Sequence, residues 1–161
     1  MKIKILFACL FFFATSCGDD FLERKPKGQL TYDTFFQTEA HAIEAVNAIY
    51  NKFRTWELTA LPYLGATDII SDDADKGSTP NDALYLLDVD NFQADATNDV
   101  YSSMWRGHYQ TIFRANLAIN NIPDIDMDKA LQKRLIAEAR FLRAFCYFRL
   151  VQWYGEIPIV T

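Results

Sequence analysis

From Thr38 onward, apolar side chains recur at intervals of three and four: Ala42, Ala45, Val46, Ile49, Tyr50 and Phe53. That spacing places them on one face of a helix running to about Arg54. Thr38 suits its N-cap and Glu39 its first turn, beside the positive end of the helix dipole. The pattern breaks between residues 60 and 97. Pro62, Gly65, Gly77 and Pro80 punctuate that stretch, and "SDDADKGSTPND" (Ser71 to Asp82) is a concentrated loop signal. The helical period returns from about Asn98, with Tyr101, Trp105, Tyr109, Ile112, Asn116 and Ile119 on one side, and stops near Pro123. A third helix begins after Asp126 or Asp128 and runs to Tyr154, where Gly155 suits the C′ position and Pro158 follows. These elements predict an all-α fold with antiparallel neighbours and one long loop between the first two helices.

The third helix is apolar around most of its circumference. In "ARFLRAFCYFRLVQWY" (Ala139 to Tyr154) only Arg140, Arg143, Arg149 and Gln152 interrupt the apolar and aromatic side chains. Such a helix must be surrounded, and two other helices and a loop are too few to surround it. After Gly155, "EIPIVT" is an extended apolar segment without a partner in view. Both features lead us to expect the N-terminal part of a larger protein.

The N-terminus has its own pattern. Lys2 and Lys4 precede an apolar run from Ile5 to Ala14, and the small residues Ala14, Thr15 and Ser16 follow. The run is too short for a spanning helix, which needs roughly 20 apolar residues. Residues 1–16 therefore read as a secretory signal peptide. Ala14-Thr15-Ser16-Cys17 resembles the bacterial lipobox, although Ala14 stands where that pattern usually has Leu. Ordinary signal peptidase could cut the same bond, leaving a free N-terminal thiol. On the lipobox reading Cys17 is lipidated, and its acyl chains anchor the protein without a transmembrane helix. Residues 17–30 then form a lipid-anchored linker and residues 31–161 a helical region. Asp19 and Asp20 resemble an acidic signal for the outer face of the outer membrane, or are solvated linker acids.

Charge narrows the partners. Without residues 1–16 and their two lysines, fourteen basic residues face 21 acidic ones, a net charge of −7. With no basic cluster, neither nucleic acid nor anionic lipid is a fitting partner. Past Cys17 only Cys146 remains, in an apolar helical setting, so it reads as a small buried hydrophobe rather than half of a disulfide. His41 and His108 lie too far apart for zinc-site spacing.

Three stretches now stand out together: "CGDDFLERKPKGQ" (Cys17 to Gln29), "MWRGHYQTIFRANLAINNIP" (Met104 to Pro123) and "AEARFLRAFCYFRLVQWYGEIPIV" (Ala137 to Val160). They resemble the SusD/RagB family of outer-membrane lipoproteins. The resemblance covers essentially all of the chain past Cys17, and the Arg/aromatic alternation ending in Tyr-Gly-x-x-Pro is its most specific part. It implies a tetratricopeptide-like helical scaffold in a protein roughly three times this length, suited to a multi-unit fold. It also implies a glycan-capturing lid over a SusC-like TonB-dependent transporter, held there by the lipid tether. No catalysis and no cofactor are implied.

In that family, part of the ligand surface comes from the long loop corresponding to residues 63–99. Its candidates are Asp73, Asp75, Asn81, Tyr85 and Phe92, since sugars are held by flat rings together with carboxylates and amides. Each has a plainer reading: solvated or locally capping acids, and aromatics that pack a long loop. "DDADKG" only partly fits a calcium loop, because the glycine falls one residue early and position 12 would be Leu84. A glycosidase would need two carboxyl groups about 5–9 Å apart across a sugar, which neighbours on one loop seldom provide. Trp105, Tyr109 and Trp153 lie at helical spacing and read as packing residues. Arg140 and Arg143 are expected to hold neighbouring helices, and Glu138 to pair with Arg134. The rival to glycan binding is a tetratricopeptide-like scaffold that binds only protein.

Overall fold

The computed structural model describes residues 31–161. The expected signal peptide, the lipid on Cys17 and the linker with Asp19 and Asp20 lie outside the described residues. The chain divides into two compact units, one ending at Phe35 and the other spanning Phe36–Thr161. Within the first, the short helix α1 (Tyr32–Phe35) is opened by the Thr31 carbonyl, which accepts from the Thr34 and Phe35 N–H groups at 3.0 and 2.9 Å.

The second unit is built on three helices: α2 (Glu39–Lys52), α6 (Asp99–Asn121) and α7 (Lys129–Tyr154). Each starts where a side chain takes up an orphan backbone donor. Thr38 Oγ1 accepts from the His41 N–H (3.3 Å), Asn98 Oδ1 from the Val100 N–H (2.9 Å) and Asp128 Oδ1 from the Leu131 N–H (2.8 Å). Of the two acids expected to cap the third helix, the structure therefore uses Asp128. α7 ends at Gly155, whose φ of 71° lies in the left-handed region that only glycine enters without a Cβ penalty. Among the described residues there are no strands, and no helix is long and apolar enough to cross a membrane.

α6 is the central element. It packs along α7 and also touches α2 and the segments that follow α2. Ser103, Gly107, Thr111 and Ala115 lie at four-residue spacing on its buried side, and small side chains there let neighbours approach closely. A Cβ on Gly107 would stand 2.8 Å from Glu57 Cβ and 2.9 Å from Leu58 Cδ2. The face expected from the sequence is therefore only part of what is covered. Ile112 and Asn116 are buried, whereas Tyr101, Trp105 and Tyr109 are half-buried and rim a more deeply packed interior of Val100, Met104 and His108.

The connection between α2 and α6 departs from the expectation of one long loop. It contains α3 (Trp56–Thr59), α4 (Leu61–Leu64), a π-turn over Gly65–Ile69 and α5 (Leu84–Asp90). Pro62 sits in the first turn of α4, where its missing N–H leaves no helical bond unmade. Ala66, Ile69, Leu86 and Val89 then close a second core on Val100 and Met104 at the start of α6. The apolar side chains of "LYLLDV" outweigh the turn residues around them because they find α6 beneath. Irregular backbone is concentrated in residues 71–83, and there Lys76 is the organiser. Its ammonium donates to Ser78 Oγ (3.0 Å), the Thr79 carbonyl (2.7 Å) and the Asp82 carbonyl. Among the described residues, no group of three His, Cys, Asp or Glu side chains is placed to share a metal ion.

The extended "EIPIV" segment has partners after all. Tyr147 Oη donates to the Val160 carbonyl (2.6 Å) and accepts from the Val160 N–H (2.8 Å), as a neighbouring strand would. Tyr109 Oη donates to the Pro158 carbonyl (2.7 Å), and Asn116 Nδ2 to the Val160 carbonyl (3.0 Å). Arg143 donates to Asn116 Oδ1 (2.7 Å), so the arginine joins α7 to α6 as expected and also aims the amide at the chain leaving α7. Arg140, by contrast, is exposed.

Candidate functional site

The first turns of α6 and the last turn of α7 lie side by side, and between them opens a cleft of about 550 Å³. Tyr101 and Trp105, one helical turn apart on α6, form one wall, and Trp153 and Tyr154 form the other. Ala94 to Ala96, in the loop before α6, make the rim. The aromatic rings are braced by one another. Trp105 meets Tyr154 edge-on at 5.0 Å and Tyr109 at a 41° tilt at 4.8 Å, while Trp153 meets Tyr63 and His108 edge-on at 6.1 and 5.5 Å. Tyr154 Oη donates to the Tyr101 carbonyl, and burial pushes its hydroxyl pKa well above the usual range, so it stays a neutral donor. Ring-on-ring packing of this kind holds the rings in fixed orientations, which pre-organises the apolar walls of the cleft.

A polar shelf adjoins the cleft. Asp95, which lines both, also borders a recess of about 300 Å³ with Tyr85, Asp88, Gln93 and Thr97. Asp95 Oδ1 accepts from Thr97 Oγ1 (2.6 Å) and the Thr97 N–H (2.8 Å). These bonds, the hydroxyl first, hold the Asp95 carboxyl below the usual range and keep it charged. Asn98 ties the shelf to α6, because its Nδ2 donates to the Tyr85 carbonyl (2.8 Å) while its Oδ1 caps the helix. The arrangement can offer ring faces to an apolar surface and charged or amide oxygens to hydroxyls beside it.

Of the five residues expected from the sequence, the structure brings only Tyr85 to this place. Phe92 is 76% exposed just past α5, with a φ of 55° that is rare for a bulky side chain. Asp73, Asp75 and Asn81 are exposed in the Lys76-centred loop and line neither recess. Trp105 and Trp153, read from their spacing as packing residues, do pack, but each also turns part of its ring toward the cleft. The signal that could have found them is position. Trp153 lies in the last turn of α7 and Trp105 in the second turn of α6, both beside loop residues 94–96, where one edge of a large ring has no helix to cover it.

Comparison with known proteins adds the context this geometry lacks. A SusD-like family described as "starch-binding associating with outer membrane" matches residues 20–161. The chain belongs to the SusD-like family. It is 32% identical to SusD-like protein P2 of Formosa agariphila over 99% of its own length, and 27% identical to SusD-like protein P25 of the same organism over 100%. A SusD-like protein of Bacteroides ovatus is 28% identical over 99% of the chain. The chain spans about a third of the length of these relatives, 31%, 32% and 29% respectively. No solved structure gives a significant match. The all-helical scaffold described above is the SusD-like one.

Proposed function

We propose that this chain belongs to a surface-exposed outer-membrane lipoprotein that binds oligosaccharide nutrients and passes them to a SusC-like TonB-dependent transporter. The observation that carries the reading is the braced aromatic cleft beside the charged Asp95 shelf, in a member of a family described as starch-binding. Sugar rings present apolar C–H faces and a rim of hydroxyls, which such a cleft matches on both counts. The role is capture without catalysis. Lipid on Cys17 would keep the binder near its transporter and raise the effective concentration there. In the whole protein, further helices would cover the exposed side of α7, in keeping with relatives about three times as long.

Calorimetric titration of the complete lipoprotein with maltooligosaccharides and a panel of other oligosaccharides tests this. Saturable binding should weaken on the order of tenfold in Trp105→Ala, the loss of one stacked ring. Asp73→Ala should leave it unchanged if the cleft is the site. A protein that held its transporter but bound no member of the panel would overturn capture and leave the protein-binding scaffold.

A further inference from the structure

Arg149, near the end of α7, has an unusual environment. Its guanidinium carbon lies 5.1, 5.2 and 5.3 Å from the ring centres of Tyr63, Phe145 and Trp153. Both terminal nitrogens donate to the same acceptor, Tyr63 Oη, at 3.0 and 3.1 Å. No carboxylate of a described residue pairs with it. A guanidinium has five N–H groups, so this leaves donors uncommitted. They are not sealed in, since Arg149 is only half-buried. Arg149 instead lines a recess of about 380 Å³ whose other polar side chains are Thr59, Tyr63 and His108.

None of those neighbours supplies a negative charge. Thr59 Oγ1 donates to the Thr55 carbonyl (3.1 Å). The His108 ring bonds through Nδ1 to the Met104 carbonyl (2.7 Å), an acceptor, so its proton sits on Nδ1. Tyr63 Oη, having accepted from Arg149, keeps its own hydrogen to donate. The recess therefore holds one full positive charge and a hydroxyl donor against apolar walls of Phe53, Leu58 and Phe145. A partly desolvated cation without a counter-ion is costly, and a planar guanidinium fork fits a carboxylate with two parallel bonds.

We propose that this recess binds the carboxylate of an acidic sugar, with Arg149 as the bidentate donor and the Tyr63 hydroxyl as a third. The inference rests on the oligosaccharide reading and narrows it, since Trp153 contacts Arg149 and also walls the aromatic cleft. Trigalacturonate and its fully methyl-esterified form differ only at the carboxyl group, an anionic two-oxygen acceptor in one and a neutral ester in the other, so titrating both into the complete protein tests recognition of that group. The acid should bind on the order of tenfold more tightly than the ester, as expected for a charge-assisted pair. That preference should disappear in Arg149→Met, shrink in Tyr63→Phe, and survive in part in Arg149→Lys. If Arg149→Met does not fold by circular dichroism, the Tyr63→Phe comparison decides. Equal binding of acid and ester, or a preference unchanged in the variants, overturns the inference. Binding of neutral maltooligosaccharides without binding of either galacturonate form also overturns it and leaves the oligosaccharide reading standing. Failure of every sugar to bind sinks both.

Discussion

On the side of α7 turned to α6, Leu135, Ala139, Leu142, Cys146 and Leu150 are buried, and Cys146 and Leu150 pack on Ile112. On the opposite side, Ala137, Phe141, Ala144, Phe148 and Val151 recur with the same three-and-four spacing, yet all are exposed. Phe141 is 68% exposed and Phe148 58%. The two stripes differ little in chemistry, and the outer one carries the two largest side chains, Phe141 and Phe148. What separates them is whether a neighbour exists. Hydrophobic spacing identifies a helix that wants to be covered, but it cannot say which face has found its cover.

The largest expected effect tests that contrast directly. Leu150→Ala removes a fully buried side chain and should destabilise the fold by about 2–5 kcal/mol in urea unfolding, through lost transfer energy and the cavity left behind. Phe148→Ala, on the outer stripe of the same chain, should stay within about 0.5 kcal/mol. Equal losses would mean that the outer stripe is covered after all. A second test moves the contrast to α6. Gly107→Ala puts a methyl group against Glu57 Cβ, which belongs to the helix wall and cannot swing aside, and should cost about 1–3 kcal/mol from overpacking. The smallest effect concerns the thiol on the buried stripe. Burial pushes the Cys146 thiol up to about 12 from an ordinary 9.0, with a weaker opposing bond from Thr111. The unfolded chain therefore loses its thiol proton first, and stability should fall as pH rises above 9.0 toward 12. Iodoacetamide labelling at pH 8 should be slow in the folded protein and fast in urea. A Cys146→Ala chain with the same alkaline slope would remove the thiol as its cause.

The parts of this protein that were legible beforehand are those decided within a turn or two of chain. Thr38 caps α2, Arg134 pairs with Glu138 four residues later (2.8 Å), and Gly155 ends α7. Buried Cys146 and the Arg143 link to α6 also follow from local pattern. The 55–97 connection was less readable. Its turn residues Pro62, Gly65 and Gly77 are real, but three short helices form around them, and the segment closes on α6 because Ile69, Leu86 and Val89 reach Val100 and Met104. Gly65 itself serves a close approach, since a Cβ there would lie 3.0 Å from both Leu86 Cδ2 and Val100 Cγ2. No short window of sequence contains both sides of that contact. The candidate site was readable only in part for the same reason. Tyr85 came from the right segment, while the walls of the cleft come from residues about fifty positions apart.

By itself, then, the sequence determined where the three long helices start and stop, the helical class, the family and the apolar demand of α7. These depend on capping bonds, φ preferences and side-chain periodicity, all of which act over a few residues. Only the tertiary structure decided which stripe of α7 is covered, that the middle connection folds onto α6, and that Tyr101, Trp105, Trp153 and Tyr154 meet across one cleft beside Asp95. Those outcomes rest on contacts between distant segments. Burial rewards whichever pair of surfaces meets, and local pattern does not record the meeting.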